Sequence, residues 1–409
     1  MFKTLAYYSF FLLLIVGLVL PSDGNHGLFS PKSLSFLSAG GAFFFYVLSR
    51  PTLRPSQAHA FLFLFFSLFF LGLWYLAGMG QDPLIPSGQF DQFKVFLTTL
   101  FVPLASWYYI KDGLIAPAQI FRCAIYAQAS YCALKVGLMT LHVLKIINLW
   151  PLMEKTGLRF MSMNIVGDLG RIQTSVDIVT PFLLYFVLQS DTLGLKLGKK
   201  FRIFFVLISF ASTLLSFSRY LIAIYAIAIL LHGLTLAWNK QAKYWALCLL
   251  ALTAGVIAAG PEKVAKAVEM RLFSSNNYYS DLDRRQQVDA LMEQCDRHPL
   301  FGAGLGGYTK ACIRDKDIPH NYEVQWVAFL MQFGLLGIFL ILIPLAYIGA
   351  RFLLPPITSE KFGYLSLYTL WLLSGFTNPF LISLTSGIIY TFFLIVPCQS
   401  ALHSNHVID

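Results

Sequence analysis

Charge is what this sequence has little of. Only 12% of its 409 residues are Asp, Glu, Lys or Arg, against roughly a quarter in soluble domains, while 57% are hydrophobic and 16% aromatic. An ordinary soluble domain is thereby excluded, and a polytopic membrane protein is expected. Acidic residues are the scarcer sign, 20 against 30 Lys and Arg, which leaves a net charge of +10. The basic residues nevertheless stand singly between apolar runs and form no stripe interleaved with aromatics, which argues for no nucleic-acid partner. The six cysteines have no zinc-like spacing, and His320 with Glu323 alone makes no metal pair. Internal repeats, heptads and low-complexity tracts are also missing. The apolar run after Lys3 ends at Pro21-Ser22-Asp23-Gly24 with no small-x-small cleavage site, so it reads as an uncleaved first helix.

What the chain does have is apolar runs of about the length a bilayer requires, roughly 20 residues each. About twelve are expected: Leu5–Leu20, Leu34–Ser49, Ala58–Met79, Val95–Ile110, Cys123–Leu144, Val176–Leu188, Ile203–Phe217, Tyr220–Trp238, Tyr244–Ala259, Val324–Ala350, Phe362–Leu373 and Leu381–Val396. The fold class is therefore all-α. Alternate short loops carry Arg50 and Arg54, Lys111 and Arg122, Lys196 to Arg202, Lys240 and Lys243, then Arg351 and Lys361. By the positive-inside rule that face is cytoplasmic, with both termini inside. The opposite, periplasmic face receives two long segments, Lys145–Ser175 and Gly260–Tyr322. Residues 1–409 read as one helical membrane domain, with 260–322 a loop subdomain between the ninth and tenth spans. Within it, "EKVAKAVEMRLF" and "DRRQQVDALMEQC" have the apolar spacing of amphipathic helices.

The loop contains GAGLGG at 302–307, which formally fits a dinucleotide-binding turn. That turn needs a preceding strand, a following helix and an acidic residue about 20 positions on. A helix-patterned segment precedes it here and a polar loop follows, so the glycines are expected to pack a turn tightly against the membrane helices. Cys295 and Cys312 flank the turn on the oxidising side, and a disulfide between them is expected. Cys123, Cys132, Cys248 and Cys398 read as small core residues.

Several ionisable residues fall at the periplasmic ends of spans, where an unused charge is costly. Arg219 directly precedes an apolar helix, and Arg171 stands in the equivalent place before the sixth span. Arg284 and Arg285 are adjacent, and either can face the membrane. The planar guanidinium suits paired contacts to phosphate oxygens. His320, before the tenth span, has the chemistry of a general base, with Glu323 the spare carboxylate and Asn321 suited to cap the helix that follows. Lys135 and Asp177 are weaker candidates inside or beside spans.

Taken together, "GDLGRIQTSVDIVTPF", "SFSRYLIAIYAIAIL", "DRRQQVDALMEQCDRHPLFGAGLGGY" and "HNYEVQWVAFLMQFGLLG" resemble, in this order, the arginine and His-Asn segments of the bacterial O-antigen ligase and polymerase superfamily of membrane glycosyltransferases. Asn321 and Gly334 stand farther apart than in the ligase branch, by about one helical turn. The resemblance implies transfer of a glycan from an undecaprenyl diphosphate carrier to an acceptor sugar, lipid A-core for a ligase or another carrier-linked repeat for a polymerase. It favours Arg284 over Arg285. It also implies that Arg219, Arg284 and Arg171 hold the diphosphate without a metal or other cofactor, while His320 activates the acceptor hydroxyl. A lipid-linked glycan transporter and a nonenzymatic scaffold are the rival readings.

Overall fold

The computed structural model describes residues 1–21, 30–50, 55–80, 86–149, 151, 163–166, 169–236, 275–314 and 318–405, with isolated positions between 237 and 274. The helices among these residues are α1 (Phe2–Val19), α2 (Pro31–Leu48), α3 (Pro55–Met79), α4 (Pro86–Lys111), α5 (Pro117–Val143), α6 (Val179–Leu188), α7 (Lys199–Leu215), α8 (Arg219–Thr235), α9 (Ser275–Arg297), α10 (Gln325–Leu353), α11 (Ser359–Leu373) and α12 (Leu384–Asn405). Each predicted apolar run coincides with one of them except Tyr244–Ala259, which lies outside the described residues together with the segment "EKVAKAVEMRLF". Regular structure among the described residues is otherwise helical, as expected of an all-α fold; a short antiparallel two-stranded ribbon, β1 (Met163–Val166) and β2 (Leu169–Arg171), lies between α5 and α6.

Among the described residues four stretches are long and apolar enough to cross a membrane: Phe2–Val19, Ala58–Met79, Gly88–Lys111 and Gln325–Leu353. Val179–Leu188, Arg219–Thr235 and Leu384–Cys398 are shorter apolar helices. A membrane environment also explains the surface. Helix α3 exposes Phe65, Phe66, Phe69, Leu73 and Leu76, and α10 exposes Leu335, Phe339 and Ile343, a face that water would not tolerate but lipid would.

Lipid is as apolar as Leu, so burial alone gives the helices little reason to associate, and shape and ring geometry must do more. Rings supply that. Phe43 of α2 meets Tyr108 and Tyr109 of α4 edge-on at 5.3 and 5.6 Å, and Phe10 of α1 meets Tyr109 at 5.4 Å. A second cluster joins Phe186 of α6, Tyr364 of α11 and Phe392 of α12.

Helix ends sort onto two faces. At one end Arg50 pairs with Asp112, Arg202 with Asp191 at 2.6 Å, and Arg351 lies over the Trp107 ring at 5.1 Å. These belong to the basic residues that charge bias grouped on one side. The other end gathers the candidate site.

Candidate functional site

Two helix starts meet at the C-terminal turn of α11. Tyr220, in the first turn of α8, donates its hydroxyl to Leu370 O at 3.2 Å, and Trp326, in the first turn of α10, donates Nε1 to Leu372 O at 2.8 Å. The side chain of Gln325 accepts from Leu381 N at 2.6 Å, tying the turn before α12 to the same place. Arg219 and the segment after His320 are thus held at one end of the bundle, although 101 positions separate Arg219 from His320.

Arg171 joins Arg219 through the tight turn between α7 and α8. Ile172 N donates to Leu215 O at 3.0 Å, and Arg171 Nε donates to Ser216 O at 3.1 Å, three residues before Arg219. Gln173 Oε1 accepts from Arg171 Nη2. Arg219 itself is exposed at the first position of α8 and has no ion-pair partner among the described residues.

Beneath this turn lies a buried polar network. Lys135 Nζ donates to Asp177 Oδ1 at 2.8 Å and to Ser212 O at 3.0 Å; Tyr131 adds a bond to Asp177, and Thr174 N reaches Asp177 Oδ2 at 2.8 Å. It fixes the chain between β2 and α6, including the turn at 175–178, of which Val176–Ile178 is expected from the sequence to open the sixth span. Helix α6 starts only at Val179.

Helix α9 explains the adjacent arginines. Its inward positions, Arg284, Gln287, Val288, Leu291 and Cys295, follow helical spacing, and the apolar ones pack with Ala303, Tyr322, Val324, Ala328 and Met331. Arg284 is therefore drawn inward, while Arg285, one residue on, is exposed. Arg284 Nε bonds Glu323 Oε2 at 2.9 Å and Nη1 bonds Asp281 at 2.7 Å. The other Glu323 oxygen accepts from Arg314 Nη2 at 2.8 Å. Glu323, the spare carboxylate of the sequence reading, thus bridges two arginines.

Arg314 was invisible to sequence reasoning. It sits in a mixed-charge loop with no helical or strand period, and only the fold brings it to Glu323.

Two expectations are corrected. Asn321 does not cap α10; the N-cap is Val324 and makes no side-chain cap bond. The chain is held off the helix for three further residues by Gln287 Oε1, which accepts from Glu323 N at 2.9 Å, and by the buried Tyr322. Nor are Cys295 and Cys312 bridged: both are free thiols. Cys295 is taken up in the apolar face of α9, where burial pushes its thiol up to about 11, whereas Cys312 stands near Asp283.

His320 is half-buried, and its Nδ1 is buried with no hydrogen-bond partner among the described residues. Burial pushes the imidazole down from 6.5 to about 4, against a smaller opposing pull from Asp91 of α4. Among the described residues no cluster of His, Cys, Asp and Glu could hold a metal.

The glycine stretch forms no phosphate cradle, because protein backbone already fills the space around it. Helix α10 is interrupted at Gly334 (φ +63°, ψ −175°), and the turn docks into the break. Ala303 N and Gly304 N donate to Met331 O and Gln332 O at 2.8 Å each, while Leu335 N and Leu336 N donate to Pro299 O and Leu300 O at 2.9 and 3.1 Å. Both broken helix ends are satisfied, as irregular backbone at membrane depth requires. A Cβ on Gly334 would lie 2.4 Å from Leu300 O. Trp74 of α3 donates to Phe301 O at 2.7 Å, and Gln92 of α4 accepts from Gly306 N at 2.6 Å and donates to Gln332 at 2.7 Å.

No family model, curated protein or solved structure matches the chain.

Proposed function

We propose that this chain is an integral membrane glycosyltransferase of O-antigen ligase type, with about twelve spans, both termini cytoplasmic and its site at the periplasmic face of a bacterial inner membrane. Its donor is an undecaprenyl-diphosphate-linked glycan and its acceptor a sugar hydroxyl of lipid A-core. The observation that carries the reading is the gathering of Arg171, Arg219 and the His320 end of α10 at one end of the bundle, anchored on α11. The inward turn of Arg284, against the exposure of Arg285, agrees with the arginine that the family resemblance favours.

The chemistry follows from the groups present. The acceptor oxygen forms a bond to the donor's anomeric carbon as the bond from that carbon to the diphosphate breaks. The hydroxyl proton passes to His320, and arginine guanidinium groups hold the negative charge that develops on the departing carrier diphosphate. An imidazole held near 4 is a weak base when the site is empty. A diphosphate beside it favours the protonated form and strengthens it as the donor binds.

Strains lacking the protein or carrying His320→Ala provide the test. Long glycans retained on the carrier beside bare lipid A-core are expected. A core bearing a single repeat would instead assign polymerase, and unchanged profiles would sink both.

One feature favours a second reading. Interrupted helices line the paths of many transporters, and α10 is interrupted at Gly334. Its freed carbonyls at Met331 and Gln332 are, however, taken by the glycine turn and not left for a passing ion. Lipid-linked glycan crossing vesicles that contain only this protein, with no new glycosidic bond, would establish transport.

A further inference from the structure

Glu323 occupies the position between two guanidinium groups that an anionic ligand would take. One carboxylate oxygen is 2.9 Å from Arg284 Nε and the other 2.8 Å from Arg314 Nη2. Each oxygen serves one arginine, which is how two phosphate oxygens would be shared between the same donors. The three side chains are only 20 to 28% exposed, so their charges are weakly screened without being sealed from a ligand.

The surroundings make the carboxylate movable and Arg284 less so. Arg284 rises from α9 and keeps a second anchor, Asp281 at 2.7 Å, whether or not Glu323 stays. Glu323 precedes the first turn of α10, in a segment whose N–H is fixed by Gln287 but whose side chain is held by the arginines alone among its described hydrogen-bond partners. Three residues earlier, His320 Nδ1 is buried without a hydrogen-bond partner among the described residues.

We infer that Arg284 and Arg314 form a diphosphate-binding clamp that Glu323 occupies in the empty protein, its carboxylate swinging out when the ligand's phosphate oxygens replace it. This rests on the donor chemistry proposed above but adds two things to it: Arg314 as a phosphate-binding residue, and Glu323 as an internal competitor that keeps two arginines neutralised between turnovers. No bond is made or broken in the exchange; one anion replaces another on the same donors. The energetic logic is that each of the two arginines loses one charge-assisted contact and gains another, so affinity is set by the difference and not by the full strength of the clamp.

The test is binding of inorganic pyrophosphate and, separately, of farnesyl diphosphate to the purified full-length protein in detergent. Glu323→Gln keeps the shape and removes the competing charge, so pyrophosphate should bind roughly tenfold tighter than to the wild type, while Arg314→Gln should abolish binding. Adding Arg314→Gln to Glu323→Gln should cancel the gain. Farnesyl diphosphate binding much tighter than pyrophosphate assigns the clamp to a lipid carrier; equal affinities assign it to free diphosphate, and either supports the site. Unchanged or weaker pyrophosphate binding by a folded Glu323→Gln overturns it. Should that variant not fold, Arg314→Lys carries the test: the fork is lost with the charge kept, and affinity must fall, unchanged affinity overturning the clamp. None of these readings depends on glycosyl transfer, so a protein that binds pyrophosphate as expected but forms no glycosidic bond separates failure of the proposed function from failure of the clamp.

Discussion

The ammonium of Lys135 and the carboxylate of Asp177 lie 2.8 Å apart with side chains 3% and 1% exposed, a closed ion pair between α5 and the turn that leads into α6. Such a pair contributes little beyond what two apolar residues would, but removing one partner strands the other charge, at a cost of about 3–5 kcal/mol. Lys135→Met should therefore lower the unfolding temperature sharply in detergent, and the double variant Lys135→Met, Asp177→Leu should recover part of the loss. Equal losses in the single and double variants would show that Tyr131, Thr174 and Ser212, not the charges, hold the turn.

The imidazole of His320 is pushed from 6.5 to about 4 by burial, so the folded protein prefers it neutral. The unfolded chain takes up the proton first as pH falls. The stabilising contribution is fully present above about pH 6.5 and is lost towards pH 4. Wild-type stability should drop across that window more steeply than that of His320→Gln. Superimposable profiles would mean that the ring is solvated and exerts no linkage.

Arg219 opens α8 exposed, with its neighbour Tyr220 pinned to Leu370. A lysine keeps the charge there and loses the planar fork, so Arg219→Lys should cut glycan transfer by roughly tenfold or more with no change in unfolding temperature. Full turnover at unchanged donor affinity would remove the paired phosphate contact from the mechanism.

The elements that local pattern governs were legible. Apolar runs became helices because lipid leaves a backbone few other ways to satisfy its N–H and C=O groups. The face of α9 followed from Leu291 and Cys295 recurring at helical spacing. What local pattern does not encode is pairing across the chain. Arg314 reaches Glu323 only because α9 and the glycine turn fold back over α10, and Asn321 fails as a cap because Gln287, 36 residues away in the other direction from Glu323, claims the backbone first. Flanking a turn in sequence likewise did not bring Cys295 to Cys312, since α9 turns the first of them into an apolar face.

The glycine turn offers the sharpest structural test, because its neighbours are backbone and cannot swing aside. A Cβ on Gly304 would stand 2.1 Å from Gly78 N and 2.4 Å from its Cα, at a φ of +82° that side chains rarely adopt. Gly113 has a similar φ of +73° but nothing within 4 Å of its would-be Cβ, and Gly137 within α5 has open space around it. Gly113→Ala then isolates the cost of the left-handed backbone, about 1–2 kcal/mol, and Gly137→Ala should be neutral or stabilise α5 by up to about 1 kcal/mol. Gly304→Ala must add the separation of α3 from the loop, which also carries the bonds closing the break in α10. It should cost well beyond Gly113→Ala and lower the yield of folded protein from membranes. If the two alanine variants unfolded at the same temperature, α3 would have to move away from the turn freely, and the turn would not be the clasp that holds the interrupted α10 together.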